Sequence, residues 1–188
     1  MKPITKALIG ALPGAALAGY GTYQIGLSAP AYKTMNENLV DAKEIVKQHA
    51  PGVMVATAKK DLKQISKNKK DLQFLQKLLD YVKGKKNAVY ISGKNAIISP
   101  AKVNKSLIGH EIGHSRDFAI RGHKPSDAYF QAAMEERGWK ASPFQDEKSK
   151  ALSKLMLQSY RGGDKLKAGA ILAGVGVTVP SLLKLLKK

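Results

Sequence analysis

The chain has 188 residues, 44% of them hydrophobic and 24% charged, with no cysteine and a formal net charge of +18. That balance suits one folded domain with terminal extensions, not a disordered chain. It excludes disulfides and thiolate metal sites, so any metal must be held by His, Asp or Glu.

The charge is unevenly spread. Residues 33–106 carry 16 Lys against 6 acids, whereas residues 107–167 carry 11 basic residues against 8 acids. The first stretch should attract anionic partners such as lipid head groups, nucleic acid or another anionic polymer. A Lys-rich surface kept for solubility is the plainer reading. Only 4 of the 32 basic residues are Arg, which argues against dedicated phosphate or base-edge reading.

Residues 1–32 form an apolar anchor segment for a membrane or an assembly. No charge occurs from Ala7 to Tyr32, a run of 26 residues, and about 20 suffice to cross a bilayer. Pro13, the glycines, Thr22 and Gln24 lower its apolarity. Lys2, Lys6 and the small residues Ser28-Ala29-Pro30-Ala31 also fit a signal peptide. Gly10 and Gly14 have the spacing that lets apolar helices approach closely. Tyr20, Tyr23 and Tyr32 stand where interfacial aromatics do.

A helix is expected from Thr34, whose spacing to Glu37 is that of a capping box. Met35, Leu39, Ala42 and Val46 share one face of it, and Ala50-Pro51-Gly52 ends it. A second, strongly basic helix is expected over 61–83, with Leu62, Ile65, Leu72, Leu75, Leu79 and Val82 on one side and Gly84 as its stop. Two short strands follow, at 88–91 and 96–98, joined at Gly93-Lys94-Asn95. Ser99-Pro100 is read as the start of the next helix, which runs to Arg121 and stops at Gly122. Ser126-Asp127 opens another helix through Lys140. Ser142-Pro143 opens a third, with Leu152, Leu155, Met156 and Tyr160 as its stripe, followed by a loop at 161–164. The apolar and basic segment 166–188 closes the chain; it suits partial insertion, an interface, or packing on the first apolar run.

The chemistry concentrates at His110-Glu111-Ile112-Gly113-His114. Two His four residues apart on a helix project from one face and can share one zinc ion at about 2.0–2.1 Å. Glu111, beside the first ligand, is placed to act as general base on a water at the metal. Gly109 and Gly113 inside a helix each cost about 1 kcal/mol relative to Ala, so something must approach closely there. A third protein ligand is needed. Gly and His are missing at 117 and 120, which excludes the metzincin pattern and leaves His123, Asp127, Glu135 and Glu136. Asp117 is either an acceptor orienting a ligand imidazole or a salt-bridge partner of Arg121.

From His110 to Ala141 the chain resembles the gluzincin metallopeptidases: the His-Glu-x-x-His run, a turn at Gly122, then Ala133-Met134-Glu135-Glu136-Arg137-Gly138-Trp139. Arg116 departs from that pattern, which usually has an apolar residue there. The resemblance implies a Glu ligand from the following helix with a small residue three positions on. Glu135 with Gly138 fits and Glu136 with Trp139 does not. It also implies a Tyr, His or Arg that stabilises the oxyanion, for which Tyr160 is preferred over Arg161, Tyr129 and His123.

The expectation is therefore an α+β fold, mostly helical, with a small hairpin or sheet beside the active-site helix and an apolar helix at each end. The catalytic domain spans 33–165, and its function is zinc-dependent hydrolysis of peptide or peptidoglycan cross-links at or near a membrane. By analogy with phage virion-associated peptidases, it is a candidate virion component. The rival expectation is a structural or membrane-active protein of a homo-oligomer or larger assembly, whose zinc site only supports the fold or is vestigial.

Overall fold

The computed structural model describes residues 3–27, 34–122 and 131–185. Chain order runs α1 (Pro3–Leu27), β1 (Leu39–Asp41), α2 (Ala42–His49), β2 (Met54–Ala56), α3 (Leu62–Ile65), α4 (Lys69–Lys85) and β3 (Val89–Ile91). It continues with β4 (Ala96–Ile98), β5 (Lys102–Asn104), α5 (Lys105–Arg121), α6 (Ala132–Ala141) and α7 (Glu147–Leu185). The fold is α+β and mostly helical, as expected.

Strand β4 organises the core. It pairs in parallel with β2 and antiparallel with β3, leaving β3 as a sheet edge. Side chains alternate across the pleat. Ala96 and Ile98 join Leu75, Leu79 and Val82 of α4 on one side. Ile97 faces the other side, with Val46 of α2, Leu107, Ile108 and Ile112 of α5, and Trp139 of α6. A separate antiparallel pair, β1 with β5, sits just before α5.

Several expected helix starts move. The helix expected from Thr34 begins instead after Asp41, as α2; the Asp41 carboxylate accepts the N–H groups of Lys43 and Glu44 at 3.0 and 3.1 Å. Residues 35–38 are turn and bend: Asn104 donates to the Thr34 and Glu37 carbonyls, and Asn38 takes φ +49°. Leu39 is then a strand residue, half exposed at 50%. The basic helix is broken at 66–68, where Asn68 caps α4 through Lys70 and Asp71 N–H. It ends on a left-handed Lys86, not at Gly84. Ser99-Pro100 does not open α5. β5 intervenes, and Asn104 caps the helix by accepting the Ser106 and Leu107 N–H groups. At Asp41 and Asn104 an acidic or amide side chain replaced the Thr34 and Ser99 candidates because the pairing of β1 with β5 fixed where each helix was free to begin. The Ser126-Asp127 start lies outside the described residues.

The largest correction concerns 161–164, expected as a loop. There α7 is unbroken, because α1 packs along it antiparallel. A Cβ on Gly162 would lie 2.5 Å from the Gly21 carbonyl, and one on Gly169 would lie 2.5 Å from the Gly14 carbonyl. Each helix thus brings glycines seven residues apart to the same seam. Glycine tolerated inside a helix for close approach replaces the expected break. No helix among the described residues is long and apolar enough to cross a membrane.

Asp61 ties the α3 turn to α2. Its buried carboxylate accepts the Thr57 and Ala58 N–H groups and the Lys43 ammonium at 2.8–3.0 Å. Burial opposes its ionisation, but those hydrogen bonds prevail and hold its pKa at about 2. A depressed carboxylate pKa stabilises the fold above pH about 4, and that stability is lost as pH falls toward 2. Asp61→Asn should therefore cost about 2 kcal/mol at neutral pH. The gap to the unsubstituted chain in urea denaturation should shrink steadily between pH 4 and pH 2. A pH-independent gap would contradict this account.

Candidate metal centre

Helix α5 is buried without interruption from Ser106 to Ser115. A helix buried on all sides must satisfy its polar side chains internally. His110 and His114 meet this requirement by facing α6, one turn apart. Gly113 makes the approach feasible: a Cβ there would overlap the Gly138 carbonyl oxygen. A Cβ on Gly138 would lie 2.6–2.8 Å from the His114 ring atoms. The close approach anticipated at Gly113 is therefore made by α6 itself. At Gly109 it is made by Phe144 and Ser142.

The crossing brings Glu135, in the first turn of α6, onto the two imidazoles. The Nε2 atoms of His110 and His114 are 3.0 Å apart. Glu135 Oε2 lies 2.8 Å from His110 Nε2 and 3.4 Å from His114 Nε2. Among the described residues this is the group of His, Asp and Glu side chains that could hold a metal ion. The fit is geometric as well as chemical. A triangle of that size has a point about 2 Å from every corner, the bond length of zinc to nitrogen or carboxylate oxygen. A proton shared by one pair leaves the third atom facing it unsatisfied, whereas one cation satisfies all three.

Electrostatics agree with a ligand set. Burial pushes the His110 pKa down to about 4, leaving a neutral imidazole. Burial opposes ionisation of Glu135, yet its hydrogen bonds from His110 and His114 outweigh that and hold it at about 2. Burial also opposes charge on His114, but Glu135, Glu111 and Asp117 raise its pKa overall. Glu111 stands apart from the triad. Burial raises its pKa to about 7, and its Oε2 accepts the Tyr90 N–H of edge strand β3 at 2.7 Å.

Glu111, Tyr160 and the triad all line one cavity of about 230 Å³, walled on one side by β3. Glu136 is excluded from the triad. It pairs with Lys140 at 2.9 Å and with Arg161 at 3.1 Å on the outer face of α6. His123, Asp127 and Tyr129 lie outside the described residues. Asp117 accepts Arg137 Nε at 2.8 Å and lies 3.4 Å from Arg121 Nε, so it braces α5 against α6. Arg116, the departure from the gluzincin pattern, donates to the Ala141 and His49 carbonyls at 3.2 and 3.1 Å. Those are the C-terminal ends of α6 and α2, where a cation is favoured.

Two contributors were not foreseen. The Trp139 ring stacks on His110, centroids 4.2 Å apart and planes 21° apart, so an aromatic face orients this imidazole; its buried Nδ1 has no hydrogen-bond partner among the described residues. Asp164 of α7 caps α6 from outside, accepting the Gln131 and Ala132 N–H groups at 2.9 and 2.8 Å. No local signal marks that role, since capping residues are sought next to the helix they cap and Asp164 follows it by some thirty residues.

The chain matches no protein-family model, no curated protein and no solved structure.

Losing a cap costs about 1 kcal/mol, and here the capped turn carries Glu135. Asp164→Ala should weaken zinc binding about fivefold to tenfold in chelator competition, whereas Glu136→Ala should leave it unchanged. Equal weakening by both would show that Asp164 has no special part in placing Glu135.

Proposed function

We propose that the chain is a zinc-dependent peptidase of the gluzincin kind. The observation that carries this is the convergence of His110, His114 and Glu135 beside a buried carboxyl, Glu111, that belongs to the same cavity but not to the triad. Two imidazoles and one carboxylate with no thiolate suit zinc held by three protein ligands, with a fourth position left to the cavity. Zinc there would polarise the scissile carbonyl and make water more acidic.

The chain's own residues supply the remaining parts. Glu111, with a pKa near neutrality, takes the proton from the attacking water and delivers it to the departing amine. Edge strand β3 has one side paired to β4 and lines the cavity with Val89 and Tyr90, preceded along the same wall by Asn87 and Ala88. An extended peptide aligned along that edge is the substrate shape it accommodates, which favours a peptide or peptidoglycan stem over other amides. Tyr160 is the proposed donor to the carbonyl oxygen as negative charge develops there.

The setting we propose is a membrane surface, with a virion as the candidate assembly. The support is the apolar outer side of the α1–α7 pair, where Leu12, Tyr20, Tyr23 and Ile171 are exposed. A second reading, in which the ion only staples α5 to α6, is favoured by the burial of all three ligand side chains.

Glu111→Gln separates the two readings. It should keep zinc stoichiometry and thermal stability while lowering cleavage of a quenched-fluorescence peptide by about 10²–10⁴-fold. Cleavage that survives the change would sink the peptidase reading. Tyr160→Phe should lower kcat by about tenfold or more with KM nearly unchanged.

A further inference from the structure

The outer face of α4 has no part in the metal centre. Its inner face, Leu75, Leu79 and Val82, packs on the side of the sheet opposite α5. Outward, Lys70, Phe74, Lys77, Tyr81 and Lys85 follow one another at steps of three or four residues, forming one exposed row along the helix. Phe74 is 61% exposed and Tyr81 57%. Two large aromatics held in water along a row of lysines do nothing for the domain's own core.

The surrounding charge is strongly positive. Residues 59–86 contain 10 Lys and 3 Asp, and two of those acids are already engaged. Asp61 is bound by Lys43, and Asp71 by Lys94.

We infer that this face of α4 docks on an anionic lipid bilayer. The two rings lie about 10 Å apart along the helix axis and on one line, so both reach the same shallow depth when the helix lies in the interface. Lys70, Lys77 and Lys85 flank them with stems long enough to keep their ammonium groups among the head groups. The basic residues of this region are all lysines. The four arginines lie at 116, 121, 137 and 161, and those at 116, 137 and 161 are bonded within the fold. A diffuse lysine field matches a fluid anionic surface better than nucleic-acid phosphates, which favour the guanidinium fork. Docking through α4 leaves the cavity free, since the sheet separates the two.

The test is Phe74→Trp in the full chain, with the unsubstituted chain as background for the buried Trp139. Vesicles carry lipids brominated on the acyl chains. With about one-third phosphatidylglycerol in phosphatidylcholine, the added emission should shift to the blue and be quenched. Phosphatidylcholine alone should do neither. Adding Lys70→Gln and Lys77→Gln should weaken partitioning about tenfold or more. Emission unmoved by the anionic vesicles overturns the proposal even if the chain sediments with them, because the α1–α7 pair would then be the contact. A response to oligothymidylate and not to vesicles overturns it in favour of single-stranded nucleic acid. None of these readouts depends on zinc or on peptide cleavage.

Discussion

The crossing of α5 and α6 at Gly113 and Gly138 is the contact on which the centre depends. With no side chain at either position, the Gly138 backbone lies against α5 and the His114 ring lies against Gly138. Only at that distance does a carboxylate from the first turn of α6 reach two imidazoles on α5. Any Cβ at Gly113 would push the helices apart. The loss would be felt first at Glu135, whose Oε2 is already 3.4 Å from His114. Glycine here weakens helix propensity in exchange for proximity, and the proximity creates the site.

Such an arrangement is difficult to bury. His110, Glu111, His114, Asp117 and Glu135 are all buried, and buried ionisable groups are tolerated only when paired or bound to a cation. Asp117 is answered by Arg137 and Arg121, Glu111 by a backbone N–H, and the triad by its own members. Two imidazoles and a carboxylate with their lone pairs converging on one point are a group that could hold a metal ion, since a shared cation answers all three. The packing around it is aromatic and glycine-rich, and α5 is supported at its end by Arg116 bridging to two helix termini.

Helix α7 links this centre to the chain ends. Within five residues it presents Tyr160 to the cavity, Arg161 to Glu136, Gly162 to Gly21 of α1, and Asp164 to the start of α6. The apolar α1 packs where α7 would otherwise be weakest, at Gly162-Gly163, and continuity of the helix there keeps Asp164 in register with α6. The terminal pair is thus mechanically joined to the candidate centre and is not a detached appendage.

Short-range physics was legible in the sequence. The His110–His114 spacing set both rings on one helical face. The short apolar runs on either side of Gly93-Lys94-Asn95 marked two strands, Gly122 marked a helix end, and the i, i+3, i+4 rows of Leu75, Leu79 and Val82 marked a buried face. These depend on a chain's own periodicity, which residue order contains. Tertiary structure alone decided which caps were used, because the pairing of β1 with β5 moved the starts of α2 and α5 to Asp41 and Asn104. It also decided that Gly162-Gly163 continues a helix, that Arg116 serves two carbonyl ends, and that Glu136 pairs with Lys140 and Arg161, whereas Glu135 as the third member of the triad was already preferred from Gly138 three residues on. Each of those outcomes depends on which distant backbone comes within hydrogen-bond or van der Waals reach. That distance is set by packing, and linear order does not encode it locally.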